Sequence, residues 1–574
     1  MQSWIEQFAQ AVSAWVATNL QPVASVLEHY VWAWPEDPLP PLLVVILVGA
    51  GIFVTTRLGF VQVRGFKHAI DITRGKYDDP NDEGDLKHYQ ALTTALSATV
   101  GIGNIAGVAI AVRMGGPGAL FWMWVTAFFG MALKYAESTL GLKYREVHED
   151  GSVSGGPMYY IEKGMGKNWK WMAIFFAACV VICSFGSGNM NQSNTMAEVM
   201  ESDFGVAKVW TALFFAAIVA AVIIGGIRRI GKVTSILAPG MASLYVLGAM
   251  VILVMNIETV PGALATIVSE AFNPSATVGG GVASFMLTLM WGIRRGLFSN
   301  EAGQGSAPIA HATAKTDEPV REGLVASLGP FIDTLVICTM TGLVIITTGA
   351  WKDRVEETRP VTSYEALLEA NAQDAQLLEL REAREAGSAP VTVAVEQGQV
   401  SGATFVVLNA VVENALLLDA DDQPWSGSLA INPAGGVTIA SGDGIPNLRG
   451  DSLLTGAVLT QHGFKKGLGL GSLGGWLVTL AVLLFAVSTA ISWSYYGDRG
   501  IEYLLGAKAI PIYRWVFVFF FFLGAILPLQ AVWTIGDVAL GLMSFPNLIA
   551  LFALSGVVVK MTKDYFSREH KPYR

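Results

Sequence analysis

The sequence predicts an all-α polytopic membrane protein interrupted by one small α+β insertion, and three observations predict it. Of 574 residues, 52% are hydrophobic and only 14% charged, against about 25% charged in an average soluble domain. Apolar runs near the roughly 20 residues that a bilayer core demands recur along the chain. One acidic stretch stands apart: residues 352–451 hold 16 acids and 6 bases, a net −10, whereas the whole chain carries −9. The acidity belongs to that segment, and no basic surface for nucleic acid is left. The cysteines, Cys179, Cys183 and Cys338, all lie in apolar runs, which argues against a disulfide framework or a thiolate metal site.

Residues 1–35 are read as an amphipathic helix lying on the outer face. Trp4, Ile5, Phe8, Val12 and Trp15 recur at helical spacing, and a basic n-region and cleavage site are missing. Eleven spans follow, at about 40–56, 91–112, 117–140, 171–189, 209–227, 234–256, 278–312, 324–349, 470–496, 512–533 and 536–559. Each is helical because hydrocarbon offers unpaired backbone groups no partner. Spans 1–8 fall within residues 36–349 and spans 9–11 within 456–562, leaving 563–574 as a tail. Loops after odd-numbered spans, with the C-terminus, carry 24 Lys and Arg; the short loops opposite carry two, Arg113 and Lys208. That bias predicts a cytoplasmic C-terminus, with the N-terminus and the insertion at 350–455 outside. Within the insertion, Tyr364–Glu385 has helical periodicity, while 391–395, 404–412 and 437–440 read as strands.

Two spans carry residues that a lipid-facing helix would not. Span 2 places Thr99, Gly101, Gly103 and Asn104 near mid-bilayer. An unwound stretch there would offer carbonyls to a cation and amides to a carboxylate; a small-residue packing face is the competing reading. Span 7 is too long, because some 33 residues from Gly279 to His311 would extend about 50 Å as one helix against a core of about 30 Å. It must break, tilt or leave the membrane, and Trp291–Ser306 within it is rich in glycine and polar residues. Spans 2 and 7 stand five apart, as equivalent helices of two inverted five-helix repeats do, which predicts a midplane site at their interface.

Other polar elements point inward as well: Ser184–Ser193 at the end of span 4, Asp333 in span 8, and Ser488-Thr489 ahead of Trp493 in span 9. For Asp333, cation coupling and a structural hydrogen bond are both open. Lys134 and Glu137, at i,i+3, read as a local pair, and Arg294 and Arg295 as structural partners of an acid or carbonyl. The seven histidines form no H-E-x-x-H pair and no nucleophile elbow is present, so an intramembrane enzyme is not the reading.

Five separated motifs resemble the alanine or glycine:cation symporters of bacteria and archaea. They are Gly101-Ile-Gly-Asn104, Gly115-Gly-Pro-Gly-Ala-Leu-Phe-Trp-Met-Trp-Val-Thr-Ala-Phe-Phe-Gly130, Gly155-Gly-Pro-Met-Tyr-Tyr160, Arg295-Gly-Leu-Phe-Ser-Asn-Glu-Ala-Gly303 and Trp493-Ser-Tyr-Tyr-Gly-Asp-Arg499. The resemblance covers about 85–345 and 470–560, and the 351–451 insertion departs from the compact pattern. It implies a five-plus-five inverted-repeat fold with one extra leading helix, in the bacterial cytoplasmic (inner) membrane. By the same resemblance Asn104 lies at the substrate and sodium site, Gln192 contacts substrate and Trp493 is an aromatic lid. Fold-level analogy adds a sodium site from Ser97, Val100, Ser488 and Thr489. The expected function is Na⁺-coupled import of a small neutral amino acid, L-alanine or glycine, with D-alanine in the same class. Proton coupling through Asp333 and a transporter-like receptor are the competing readings. Uptake against a gradient separates carrier from channel or receptor.

Overall fold

The computed structural model describes residues 21–35, 41–149, 152–274, 281–369, 372–373, 390–407, 410–432, 435–527, 529–570 and 572. The predicted surface helix therefore lies mostly outside the described residues. Its end does not: α1 (Gln21–Glu28) runs into a wide turn at His29–Ala33. There Val31 and Trp32 are buried, and the Trp32 indole donates to the Asp537 carbonyl at 2.9 Å. Val23, Val26, Leu27 and Tyr30 remain exposed, so this end lies on the surface and is anchored there by Trp32, whose indole needs a partner once buried.

Apolar helices fill the membrane part. In chain order they are α2 (Leu42–Arg57), α3 (His88–Thr99), α4 (Val108–Gly115), α5 (Ala119–Lys143), α6 (Lys170–Phe185), α7 (Asn191–Phe204), α8 (Lys208–Ile223), α9 (Gly226–Met255), α10 (Val260–Glu270), α11 (Gly281–Asn300), α12 (Ala307–His311), α13 (Pro319–Pro330), α14 (Thr339–Thr347), α15 (Gly456–Leu468), α16 (Ser472–Leu505), α17 (Ile510–Ile526) and α18 (Leu529–Ser567). Seven helices among the described residues are long and apolar enough to cross a membrane, eight if the broken α3–α4 pair counts as one span. Large apolar side chains such as Trp210, Phe214, Ile236, Leu247, Ile512 and Trp515 are exposed on their outer faces. On a soluble protein so many would be a liability; facing lipid they need no partner. The protein is a multi-pass membrane protein.

Small residues let the inner helices approach closely. A Cβ on Gly296 of α11 would lie 2.2 Å from the Thr126 hydroxyl of α5, and one on Gly323 of α13 would lie 2.1 Å from that of Thr139. Without a hydrophobic drive between helices in lipid, such backbone-to-side-chain contact supplies the attraction. Glycine thus serves both competing readings, as packing face here and as helix breaker in span 2.

Outside the insertion, β1 (Glu146–Val147) and β2 (Val153–Ser154) form a short hairpin. The insertion's strands are β3 (Arg354–Pro360), β4 (Glu365–Leu367), β5 (Val391–Glu396), β6 (Gln399–Val400), β7 (Thr404–Val407), β8 (Ala410–Val411), β9 (Glu413–Leu418), β10 (Gly427–Ile431), β11 (Val437–Ser441) and β12 (Asn447–Leu453). They form sheets ordered β11-β10-β5-β6, β3-β12-β9 and β4-β7-β8 over a core containing Phe405, Leu417, Trp425 and Leu448. The strands predicted at 391–395 and 437–440 are present as β5 and β11, whereas the run predicted over 404–412 is corrected to two strands, β7 and β8, that pair antiparallel with each other. The predicted helix over 364–385 is corrected at its start, since Glu365–Leu367 is strand and Ala366 pairs with Phe405. Pairing with a strand 40 residues away overrides a local period; residues 374–389 lie outside the described part.

Sequence reading missed α15, which leads from the insertion to α16. Its sign was present: Ala457, Phe464 and Leu468 repeat at helical spacing, and Lys465 and Lys466 precede a left-handed Gly469. His462 and Lys466 of α15 both bind Asp353 at 2.8 Å, where the chain enters the insertion.

Candidate substrate and cation site

Span 2 is broken where its glycines cluster. Helix α3 ends at Thr99, a wide turn occupies Gly103–Gly107, and the two segments meet at 54°. Span 7 breaks too: α11 stops at Asn300, Glu301 takes φ +53° and Gly303 and Gly305 take +85° and +82°, before α12 resumes. A left-handed non-glycine residue inside a membrane helix is strained, and the two glycines beside it accept the same region freely.

The breaks face each other. Asn104 donates to Ser299 at 3.1 Å and to the Asp333 carboxylate at 2.6 Å, while Ser299 and Thr334 donate to the other Asp333 oxygen, both at 2.7 Å. Asn104, Ser299 and Asp333 are fully buried. Asp333 projects from the wide-turn stretch Phe331–Cys338 joining α13 to α14. A buried carboxylate needs such donors to stay tolerable, and this one receives three.

A second cluster of oxygens lies at the end of α3. Thr489 of α16 donates to the carbonyls of Ser97 at 3.1 Å and Val100 at 3.3 Å; the Ser97 hydroxyl donates to the Ser488 carbonyl at 3.0 Å and meets the Ser488 hydroxyl. All four residues expected from fold analogy come together. Carbonyl and hydroxyl oxygens around opened backbone are the donor set for Na⁺.

The remaining candidates divide. Gln192 accepts from the Ile102 amide at 3.4 Å, and the Gly101 amide donates to the Asn104 side chain at 2.9 Å. The amides freed by the break therefore point at side-chain oxygens, in the geometry a carboxylate could take over. A Cβ on Gly101 would sit 2.6 Å from Thr489 Oγ1, and one on Gly103 3.2 Å from the Phe298 ring, so both glycines hold the site closed-packed. Trp493 is buried against Gly188 and donates to Glu301 at 3.1 Å. Thr99 stands apart, its hydroxyl occupied by the Ala95 and Leu96 carbonyls at 3.3 Å.

Ser299 and Glu301 were not singled out from sequence, although both lie in the span-7 motif. A hydroxyl and an acid flanking a glycine break are the signal that could have found them. Lys134 and Glu137 form no ion pair: Glu137 accepts from Asn547 at 2.6 Å, and Lys134, buried, lies in the field of Glu301, Glu137 and Asp333. Both are buried, and the folded helices bring Glu137 a distant hydrogen-bond partner and Lys134 two distant acids, which i,i+3 spacing cannot reveal. Arg294 is structural as expected, binding Glu28 at 2.7 Å and Asp537 at 3.2 Å.

Two discontinuous helices meeting at a buried polar centre, in a multi-pass helical body, define a membrane transporter of the secondary type. The sequence pattern of the sodium:alanine symporter family matches residues 18–375 and 429–573, and the chain belongs to that family. The match leaves out 376–428, a narrower departure than the 351–451 expected. The chain is 40% identical to the sodium/alanine symporter AgcS of Methanococcus maripaludis, over 95% of this chain and 96% of that protein. It is 32% identical to the amino-acid carrier protein AlsT of Bacillus subtilis over 92% and 90%. With the "Probable sodium/glutamine symporter GlnT" of Bacillus subtilis it shares 33% over 94% and 91%. A mutant manganese transporter of Eremococcus coleocola overlays at TM-score 0.39 and 11% identity, covering 86% of this chain and 97% of that one; so low a score bears on neither fold nor cargo.

Proposed function

We propose that the protein is a Na⁺-coupled importer of a small neutral amino acid, L-alanine or glycine first and D-alanine in the same class. The observation that carries the reading is the meeting of two helix breaks, with the Asn104–Asp333 pair on one side and the Ser97, Val100, Ser488 and Thr489 oxygens on the other. A cation held by those oxygens fixes the opened end of α3. The amides of Gly101 and Ile102 and the Asn104 side chain then receive the substrate carboxylate. Gln192 holds the ammonium, and Trp493 leaves room for little beyond a methyl group. Relatives named for sodium and alanine support cargo and ion alike.

The body is read as eleven spans in two inverted five-helix repeats after one leading helix. By the distribution of Lys and Arg, the insertion faces outward and the C-terminus lies in the cytoplasm. Import follows when one bundle rocks about the bound ligands. Asp333 supports a second reading, proton coupling, because a buried carboxylate at the substrate site is also a proton carrier.

Uptake of radiolabelled L-alanine into proteoliposomes tests both. Accumulation above equilibrium under an inward Na⁺ gradient, lost when K⁺ replaces Na⁺, supports symport with Na⁺. Accumulation under a proton gradient alone transfers the role to Asp333, and failure of alanine and glycine under both gradients removes the cargo assignment.

A further inference from the structure

Far from the substrate site, at the opposite end of α3, a buried triad joins the two broken spans. His88 opens α3, His311 closes α12, and Glu322 lies in the first turn of α13. All three side chains are at most 1% exposed. The Glu322 carboxylate accepts from both imidazoles at Nδ1, one on each oxygen, with His311 at 2.5 Å. Backbone pairing runs beside it: Asp85 and Leu86 donate to the Thr313 carbonyl at 2.8 and 3.0 Å, and the Lys315 amide donates to the Leu86 carbonyl at 2.7 Å. Arg145 is the charged group behind the triad. It lies in the Glu322 field and holds the carbonyls of Ala312, Ala314 and Thr316.

Along its other side α3 meets α9, where Tyr89 donates to the Ser235 carbonyl at 3.1 Å and the Thr94 and Thr234 hydroxyls lie 3.0 Å apart. A cleft of ≈ 820 Å³ on that side runs from Lys87 past Thr93 to Val100, walled opposite by Ala238, Pro239 and Leu328. The helix thus borders open space on one flank and is tied through a buried carboxylate on the other, and its upper end supplies two carbonyls to the candidate cation site. Whatever holds its lower end decides whether those carbonyls stay in place. A carboxylate accepting two buried N–H groups is stronger than a neutral contact and geometrically specific.

We propose that Glu322, clamped between His88 and His311, is the positioning residue of the inner gate: it ties the lower ends of α3 and α12 together, and the tie is broken when the cytoplasmic side opens. The inference rests on the transporter reading but not on which amino acid is carried. Releasing the tie raises the share of molecules open to the cytoplasm and lowers apparent affinity from outside by the same factor.

The test places a thiol in the cleft, Thr93→Cys, in the full-length protein in inside-out vesicles. Labelling by a membrane-impermeant maleimide is read with no substrate present, so it stands even if alanine proves the wrong cargo. The three native cysteines are buried, and the chain without Thr93→Cys gives the background. Adding His88→Ala is expected to speed labelling roughly tenfold, the scale of one lost hydrogen bond to a charged group. Adding His88→Asn, whose amide nitrogen replaces Nδ1, should hold the parental rate. Equal rates for His88→Ala and parent, at equal abundance, overturn the proposal. Should His88→Ala not reach the membrane, His311→Ala is read in its place; loss of both proteins assigns the triad to folding and overturns the gate.

Discussion

Across the break between α3 and α4, the Asn104 amide donates to the Asp333 carboxylate at 2.6 Å, and Ser299 of the second broken span donates to the same side chain. One acid thereby reads both helix breaks at once. On the proposed reading, a cation bound beside Asn104 would meet an acid already held in position, so that binding strengthens contacts that exist instead of building new ones.

Asp333→Asn keeps the shape and removes the charge. It is expected to lower Na⁺-driven uptake by roughly 100-fold, the scale of losing a charge-assisted contact at a buried site, at unchanged membrane abundance. Initial rates against Na⁺ concentration check this. A rise in the Na⁺ concentration needed for half-maximal rate separates lost coupling from lost folding.

Thr489 reaches the Ser97 and Val100 carbonyls from a helix almost 400 residues away in sequence. If those oxygens hold the ion, Na⁺ binds the folded protein and not the unfolded chain, so it raises the melting temperature as its concentration rises. Thr489→Val, which has the same shape without the hydroxyl, should abolish that increment relative to K⁺. A Na⁺-dependent shift surviving in Thr489→Val would remove this residue from the cation site.

Much of this was legible in the chain because membrane segments permit few reasons for polarity. Gly101, Gly103 and Asn104 in one apolar run, and a span too long to fit, each announced a break. The partner of Ser299 was not legible, since a serine in a glycine-rich stretch has many partners available and only folding brings Asp333 to it. Thr99 misled for the converse reason: its hydroxyl bonds back to its own helix, as mid-helix threonines commonly do. The start of the insertion misled because strand β4 gains its pairing from β7, beyond the reach of any local period.

Gly101 tests the packing of the opened segment. A methyl group there would stand 2.6 Å from Thr489 Oγ1 and 3.3 Å from Gln192 Oε1, so either the hydroxyl leaves the Ser97 and Val100 carbonyls or α16 moves. Gly101→Ala is expected to cut uptake roughly 100-fold, since overpacking costs about 1–3 kcal/mol, with the Na⁺-dependent thermal shift lost as well. Uptake without that shift would separate the two candidate sites.

Trp493 is the residue proposed above to limit substrate size. Its ring is buried against Gly188, where a Cβ would stand 2.3 Å from the indole, and its N–H holds Glu301, the left-handed residue of the second break. On that proposal size exclusion and support of the break are joined in one side chain, and two substitutions separate them. Trp493→Phe keeps most of the volume and drops the Glu301 bond; it should slow alanine uptake while leaving the rank of competing amino acids unchanged. Trp493→Leu enlarges the space beside Gly188, and glutamine-sized substrates should then compete with labelled alanine, whereas no competition is expected in the parent. Competition by glutamine in the parent itself would transfer the size limit to another residue and enlarge the cargo class.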